Sequence, residues 1–300
     1  VDSLFIKNNC DVYITGSNAY FMSGELATVL SGRCVEIQML PLSFKEFNLG
    51  LDEQYGNLSL KEKFNLYVNY GSFPFITKYN NFTDDSKDYL QGIFDTILNK
   101  DIARRLNIAD TVSLENVTKF LLHSIGNKIS PTKIANTLKS AGKSVDQKTV
   151  DKYIKGLVDS MLIYEAGRYN IKGKQFLSTQ SKYYVVDVGM RNALVKSSES
   201  DIGHILENIV YLELKRRYKN VYVGEIDSGE VDFVSVNDNK YEYYQVSATT
   251  LDENTLKREL APFGKIKDNY PKYLLTLDDV FSNADYNGVQ KINVLEWLLK

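Results

Sequence analysis

Between residues 204 and 247 the chain runs through a helix carrying Glu207, a strand reading Glu230-Val-Asp232-Phe-Val, and a second strand ending Gln245-Val-Ser247. Side chains two apart on a strand share a face, so Glu230 with Asp232, and Gln245 with Ser247, can each point one way. Two or three oxygen donors gathered like this suit a hard cation such as Mg²⁺, and a metal so held can activate water against a phosphodiester. A stretch with that much polar chemistry on buried-type elements constrains the fold more than any other part of the chain.

The arrangement resembles the PD-(D/E)xK nucleases, in which an acid on a helix, an Asp on one strand and an acid-x-Lys on the next hold magnesium and water. The resemblance implies Glu207, Asp232 and Gln245 as the catalytic positions and Asp232 with Glu207 as the metal ligands, with Mg²⁺ at Asp232. Here the last element reads Gln-x-Ser. An amide oxygen is a weaker magnesium ligand than a carboxylate, and a serine hydroxyl cannot supply a lysine's positive charge. The implied nuclease is therefore degenerate, unless Lys257 or Arg258 on the following helix, 252–267, restores the charge.

The residues themselves leave a second reading open. Helix 204–218 spreads Ile205, Leu206, Ile209, Val210, Leu212 and Leu214 over about half its circumference, with Glu207 at the edge of the arc and Glu213 near its middle. Either the helix packs on two sides or Glu213 is the buried acid, and the carboxylates form either a structural network or a metal site.

Three hundred residues suggest two or three domains of globular composition. A net charge of −2 gives no global nucleic-acid signature, so any DNA contact needs a local basic patch. Cys10 and Cys34 lack metal-type spacing, and no apolar run reaches membrane-spanning length. These features fit a cytoplasmic protein without a membrane partner.

The amino terminus reads as the end of a helix leading straight into a buried-strand pattern, Asp11 to Asn18, as if the chain were cut inside a domain. A short helix near 24–30, a Ser-Gly-Arg33 turn, a strand over 34–40 and a Ser43…Glu46 capping box follow. The run DVYITGSNAYFMSGELATVLSGRCVEIQMLPLSFKEF resembles the last part of the nucleotide-binding domain in a prokaryotic family of AAA+ type ATPases. The resemblance implies nucleotide-facing roles for Ser17, Asn18 and Arg33, the last as an arginine finger. It extends through LENIVYLELKRR, GEVDFV, YYQVS and DNYPKYLLTLD to a carboxy-terminal domain of DUF4143 type. ATP and Mg²⁺ are then expected in a full-length member. No Gly-x-x-x-x-Gly-Lys-Ser/Thr occurs here, so this chain is expected to bind no cofactor tightly and not to hydrolyse ATP.

The middle turns helical, with amphipathic patterns over Leu60–Tyr70 and Asp85–Leu106. Helices at 114–125, 131–141 and 147–161, followed by strands at 162–171 and 182–187, then predict a winged helix. Residues 139–155 hold five lysines against Asp146 and Asp151, a local charge of +3. Lys143, Gln147, Lys148 and Lys152, with Arg168 on the wing, are the candidate DNA contacts; the competing reading is a protein-docking module.

The expected fold class is α/β and multidomain. It comprises a remnant of a P-loop ATPase domain at 1–50, a helical lid or linker at 51–110, a winged helix at 111–200 and an α/β restriction-endonuclease-like domain at 201–300. Three functions stay open: a regulatory module binding DNA or a partner protein, an active Mg²⁺-dependent nuclease, and a non-catalytic interaction scaffold, as a single chain or an oligomer.

Overall fold

A computed structural model describes residues 4, 7, 9–16, 35–78, 82–195, 201–227, 229–237 and 240–300. Capping boxes start two helices that follow residue 42. Ser43 and Glu46 exchange hydrogen bonds at the head of α1 (Phe44–Tyr55), and Ser59 and Glu62 do so for α2 (Leu60–Tyr70). Residues 11–16 and 35–40 form no strand, contrary to the sequence pattern, and Tyr13, Val35, Ile37 and Met39 are exposed. A strand needs a hydrogen-bonding neighbour, and no described residue pairs with these segments.

The helix expected over 85–106 is α3 (Asp84–Thr96) passing into a π-helical stretch, Ile97–Arg104. Then come α4 (Thr111–His123), β1 (Lys128–Ile129), α5 (Pro131–Ser140), α6 (Gln147–Asp159), β2 (Ile163–Asn170) and β3 (Gln175–Val185). The order agrees with the sequence pattern, but β3 begins seven residues before the expected 182. The polar run Gln175-Phe-Leu-Ser-Thr-Gln-Ser181 has no strand periodicity of its own, and pairing with β2 makes it a strand.

Helix α7 (Val188–Leu194) crosses the end of α2 closely enough that a Cβ on Gly189 would lie 2.0 Å from the Gly71 nitrogen. Buried Asp187 clasps the same crossing, accepting from Ser72 N, Ser72 Oγ and Met190 N at 2.6, 2.8 and 2.7 Å.

Helix α8 (Ile202–Arg217) is followed by β4 (Val221–Ile226), β5 (Gly229–Asn237), β6 (Lys240–Ser247), α9 (Glu253–Leu260), β7 (Lys272–Thr276), β8 (Val289–Asn293) and α10 (Val294–Leu298). The helix expected to reach 267 stops at Leu260, and a 3₁₀ turn over Phe263–Lys265 follows Pro262. Among the described residues the strands join one eight-stranded mixed sheet in the order β1-β3-β2-β4-β5-β6-β7-β8. Parallel pairing of β2 with β4, Arg168 opposite Val223, carries it past residue 201. Helix α8 is buried all round from Ile205 to Leu214, so both sequence alternatives hold: it packs on two sides, and Glu213 is buried, paired with Arg217 at 2.7 Å. No helix among the described residues is long and apolar enough to cross a membrane.

Candidate functional site

Lys182 is the centre of the site. Its side chain, 4% exposed on β3, lies 2.9 Å from Glu207 Oε1, 2.9 Å from Glu230 Oε1 and 3.7 Å from Asp232 Oδ1. Tyr184, two residues on and therefore on the same face, donates to Glu207 Oε1 at 2.6 Å. Asn208 fixes the helix against this strand: its amide accepts from Val185 N at 2.8 Å and donates to Val185 O at 2.9 Å. Beside it Lys128, opposite Lys182 on β1, pairs with Glu225 at 3.0 Å and Glu230 at 2.8 Å.

A β-bulge aims Asp232. Tyr222 pairs with Val234 but Gly224 with Val231, so β5 takes three steps against two on β4. Asp232 and Phe233, though adjacent, both turn to the α8 side: Asp232 toward Lys182, Phe233 against the Tyr184 and Tyr211 rings. Glu230 and Asp232 share a face as their spacing predicts.

Burial alone would pull the Lys182 amine down, but Glu207, Asp232 and Glu230 overturn this and push it above the usual lysine range. Burial and then Glu207 drive the Asp232 carboxyl well up, only partly countered by Lys182 and the Val246 N–H that Asp232 Oδ2 accepts at 2.9 Å. For Glu230 burial acts upward, yet Lys182 and Lys128 prevail and hold it low.

Gln245 turns to the α9 side. Its Oε1 accepts from Asp232 N at 3.3 Å, and its amide donates to Glu259 Oε2 at 2.8 Å. Arg258 closes on Glu259 Oε1 at 2.8 Å, whereas Lys257 pairs at the surface with Glu253. Glu207, Glu230, Asp232, Gln245, Arg258 and Glu259 border an open cleft of about 780 Å³ with His204, Thr255 and Lys265.

These donors do not fit magnesium as arranged. An ammonium stands among the acids, Gln245 gives its amide to a carboxylate, and no three His, Cys, Asp or Glu among the described residues are grouped to hold a metal. The expected set of Glu207, Asp232 and Gln245 is brought together at one cleft, but as a charge-compensated network. Sequence reasoning missed Lys182, Tyr184 and Glu259. Only the 2-residue spacing of Lys182 and Tyr184 hinted at a shared face.

Of the candidate DNA contacts, Gln147, Lys148 and Lys152 are exposed on α6, with Lys143 on the loop before it. Lys148 and Lys152 lie one turn apart. Lys152 also donates to Leu106 O at 2.9 Å and Lys143 to Asn116 Oδ1 at 2.6 Å. Arg168 is not free for phosphate as the wing reading expects: it is 13% exposed and held by Glu225, with Nε at 3.0 Å and Nη2 at 2.9 Å. Ser17, Asn18 and Arg33 lie outside the described residues.

Residues 1–48 match the AAA domain family, and residues 61–201 match a domain of unknown function, DUF8612, where the sequence resemblance pointed to a DUF4143 type. An uncharacterized protein of Haemophilus influenzae is 39% identical over 300 residues, all of this chain and 74% of that protein. Uncharacterized protein MJ1544 of Methanocaldococcus jannaschii is 33% identical over 299 residues, 95% of this chain but 65% of its own length. No solved structure matches.

Proposed function

The chain belongs to the family of AAA-domain proteins that includes the uncharacterized Haemophilus influenzae protein, and on that premise we propose that it is the DNA-binding regulatory portion of an ATPase, with a nuclease-like site that does not cut. The observation that carries this reading is Lys182, whose ammonium takes the place among Glu207, Glu230 and Asp232 that a divalent cation would need.

The order helix, strand, helix, helix, strand, strand over residues 111–185 supports a winged helix, with α6 as the helix presented to a groove. Lys148, Lys152 and Gln147 face solvent there. ATP and Mg²⁺ belong to the longer relatives in this reading, with Ser17, Asn18 and Arg33 toward the nucleotide. A partner protein or a second copy of the chain is the competing occupant of α6.

The test is a pair of assays on supercoiled, single-stranded and branched DNA. Binding whose log affinity falls linearly with log salt, with no nicking in Mg²⁺ or Mn²⁺, is expected. One observation favours an active nuclease: Asp232 borders an open cleft and has the buried Lys182 ammonium 3.7 Å behind it. Metal-dependent nicking abolished by Asp232→Ala would establish that alternative and overturn the first reading.

A further inference from the structure

The last turn of α8 carries three consecutive cations, Lys215, Arg216 and Arg217. Arg217 is fully engaged: Nε reaches Glu213 at 2.7 Å, Nη2 donates to the Trp297 carbonyl at 2.8 Å, and the guanidinium stacks 4.1 Å over the Trp297 ring. Arg216 donates to the Pro41 carbonyl and approaches Glu213 Oε2 at 3.6 Å. Lys215 differs. It is half-buried, and among the described residues its amine has neither an ion pair nor a hydrogen bond. Burial, with no carboxylate to oppose it, draws that amine below the usual lysine range.

Lys215 opens onto a groove of about 480 Å³ between α8 and residues 38–46. Lys45, Lys215, Arg216, Arg217 and Lys300 border it against two side-chain carboxylates, Glu46 and Glu213, five cationic side chains to two acids. Both carboxylates are already occupied, Glu46 by Ser43 and Glu213 by the arginines. Basic residues in a last helical turn ordinarily balance the helix dipole, but that role asks for neither a groove nor a half-buried unpaired amine.

We infer that this groove binds a phosphate-bearing small molecule, with Lys215, Arg216 and Lys45 as its phosphate-facing cations. The excess of cations suits a multiply charged anion, and guanidinium beside ammonium suits several phosphate oxygens at once. The volume lies in the range of small-molecule sites. One wall, residues 38–46, falls within the AAA-matching segment and the other is the carboxy-terminal helix α8, so the occupant would tie the two together.

Lysine acylation on the intact chain, read by peptide mass spectrometry, tests the site. Pyrophosphate at matched ionic strength should slow acylation of Lys215 at least tenfold and leave exposed Lys240 unchanged. Lys45→Gln, a surface change, should weaken that protection severalfold while preserving the melting temperature without ligand. Acylation of Lys215 indifferent to pyrophosphate, protection equally strong in Lys45→Gln, or equal protection by a polyglutamate peptide would each overturn the inference.

Discussion

The ammonium of Lys182 and the carboxylate of Glu207 meet at 2.9 Å although one hangs from strand β3 and the other from helix α8. Removing that cation leaves Glu207 and Asp232 without a counter-charge in a buried place, while Glu230 keeps Lys128. Lys182→Met should cost about 3–5 kcal/mol at neutral pH. Burial and Glu207 already drive the Asp232 carboxyl up and Lys182 is its counterweight, so the variant favours the protonated form of Asp232 in the fold and the loss should shrink as pH falls toward 5. Urea midpoints of variant and wild type that differ equally at pH 5 and pH 8 would contradict this account.

Asn208 completes the outer edge of β3 by pairing both with Val185 N and Val185 O. Asn208→Leu keeps the volume but leaves a buried donor and acceptor unmet, for a loss of about 2–4 kcal/mol. A melting temperature within a degree of wild type would show that water takes over these bonds.

Gly189 meets Gly71 backbone to backbone, with only 2.0 Å between its would-be Cβ and the Gly71 nitrogen. The obstacle is main chain and cannot rotate away. Gly189→Ala should therefore destabilise by roughly 3 kcal/mol or more and separate α7 from α2. Gly264→Ala, where an added Cβ meets nothing, is the control.

Asp278 ties the end of β7 to β8 and to the loop at 250: it accepts from Lys291 at 2.8 Å and Thr250 N at 2.9 Å. Burial pushes its carboxyl up, but the Lys291, Thr249 and Thr250 hydrogen bonds outweigh it and hold the pKa at about 2. A depressed carboxylate stabilises the fold above the unfolded-state pKa near 4 and loses that contribution as pH falls toward 2. The amount is about 2 kcal/mol. The stability gap between wild type and Asp278→Asn should hold from pH 7 to 5 and close below pH 4; a gap constant to pH 2 would reject the assignment.

Lys148 and Lys152 lie one turn apart on the exposed side of α6. Replacing both with Glu should lower DNA affinity at least tenfold and flatten the salt dependence by about two in the log–log slope. An unchanged slope would place the DNA contact elsewhere or favour a protein partner for α6.

The part of the site carried by residues 207–245 was legible in two ways: strand spacing puts Glu230 and Asp232 on one face, and the resemblance to the nucleases adds Glu207 and Gln245. The bulge at Asp232–Phe233 was not, since it exists only in the pairing of β5 with β4. Lys182 was hidden for a related reason. Its strand begins in a polar run that has no β signal until β2 lies beside it, and its partners come from elements far along the chain. The apolar alternation at 11–16 and 35–40 misled in the opposite direction: periodicity records a capacity to pair, and no described neighbour meets it there. Arg168 read as a wing cation because Glu225, its partner, becomes adjacent only through the β2–β4 ladder.

That ladder also bears on how the chain can be divided. The DUF8612 match stops at residue 201, whereas the hydrogen bonds between Arg168–Asn170 and Val223–Glu225 run straight across the boundary. A chain severed at that point would leave β2 and β4 each with a raw strand edge, open to joining strands of other molecules. The two halves are better regarded as a single unit of folding, whose solubility depends on both being present.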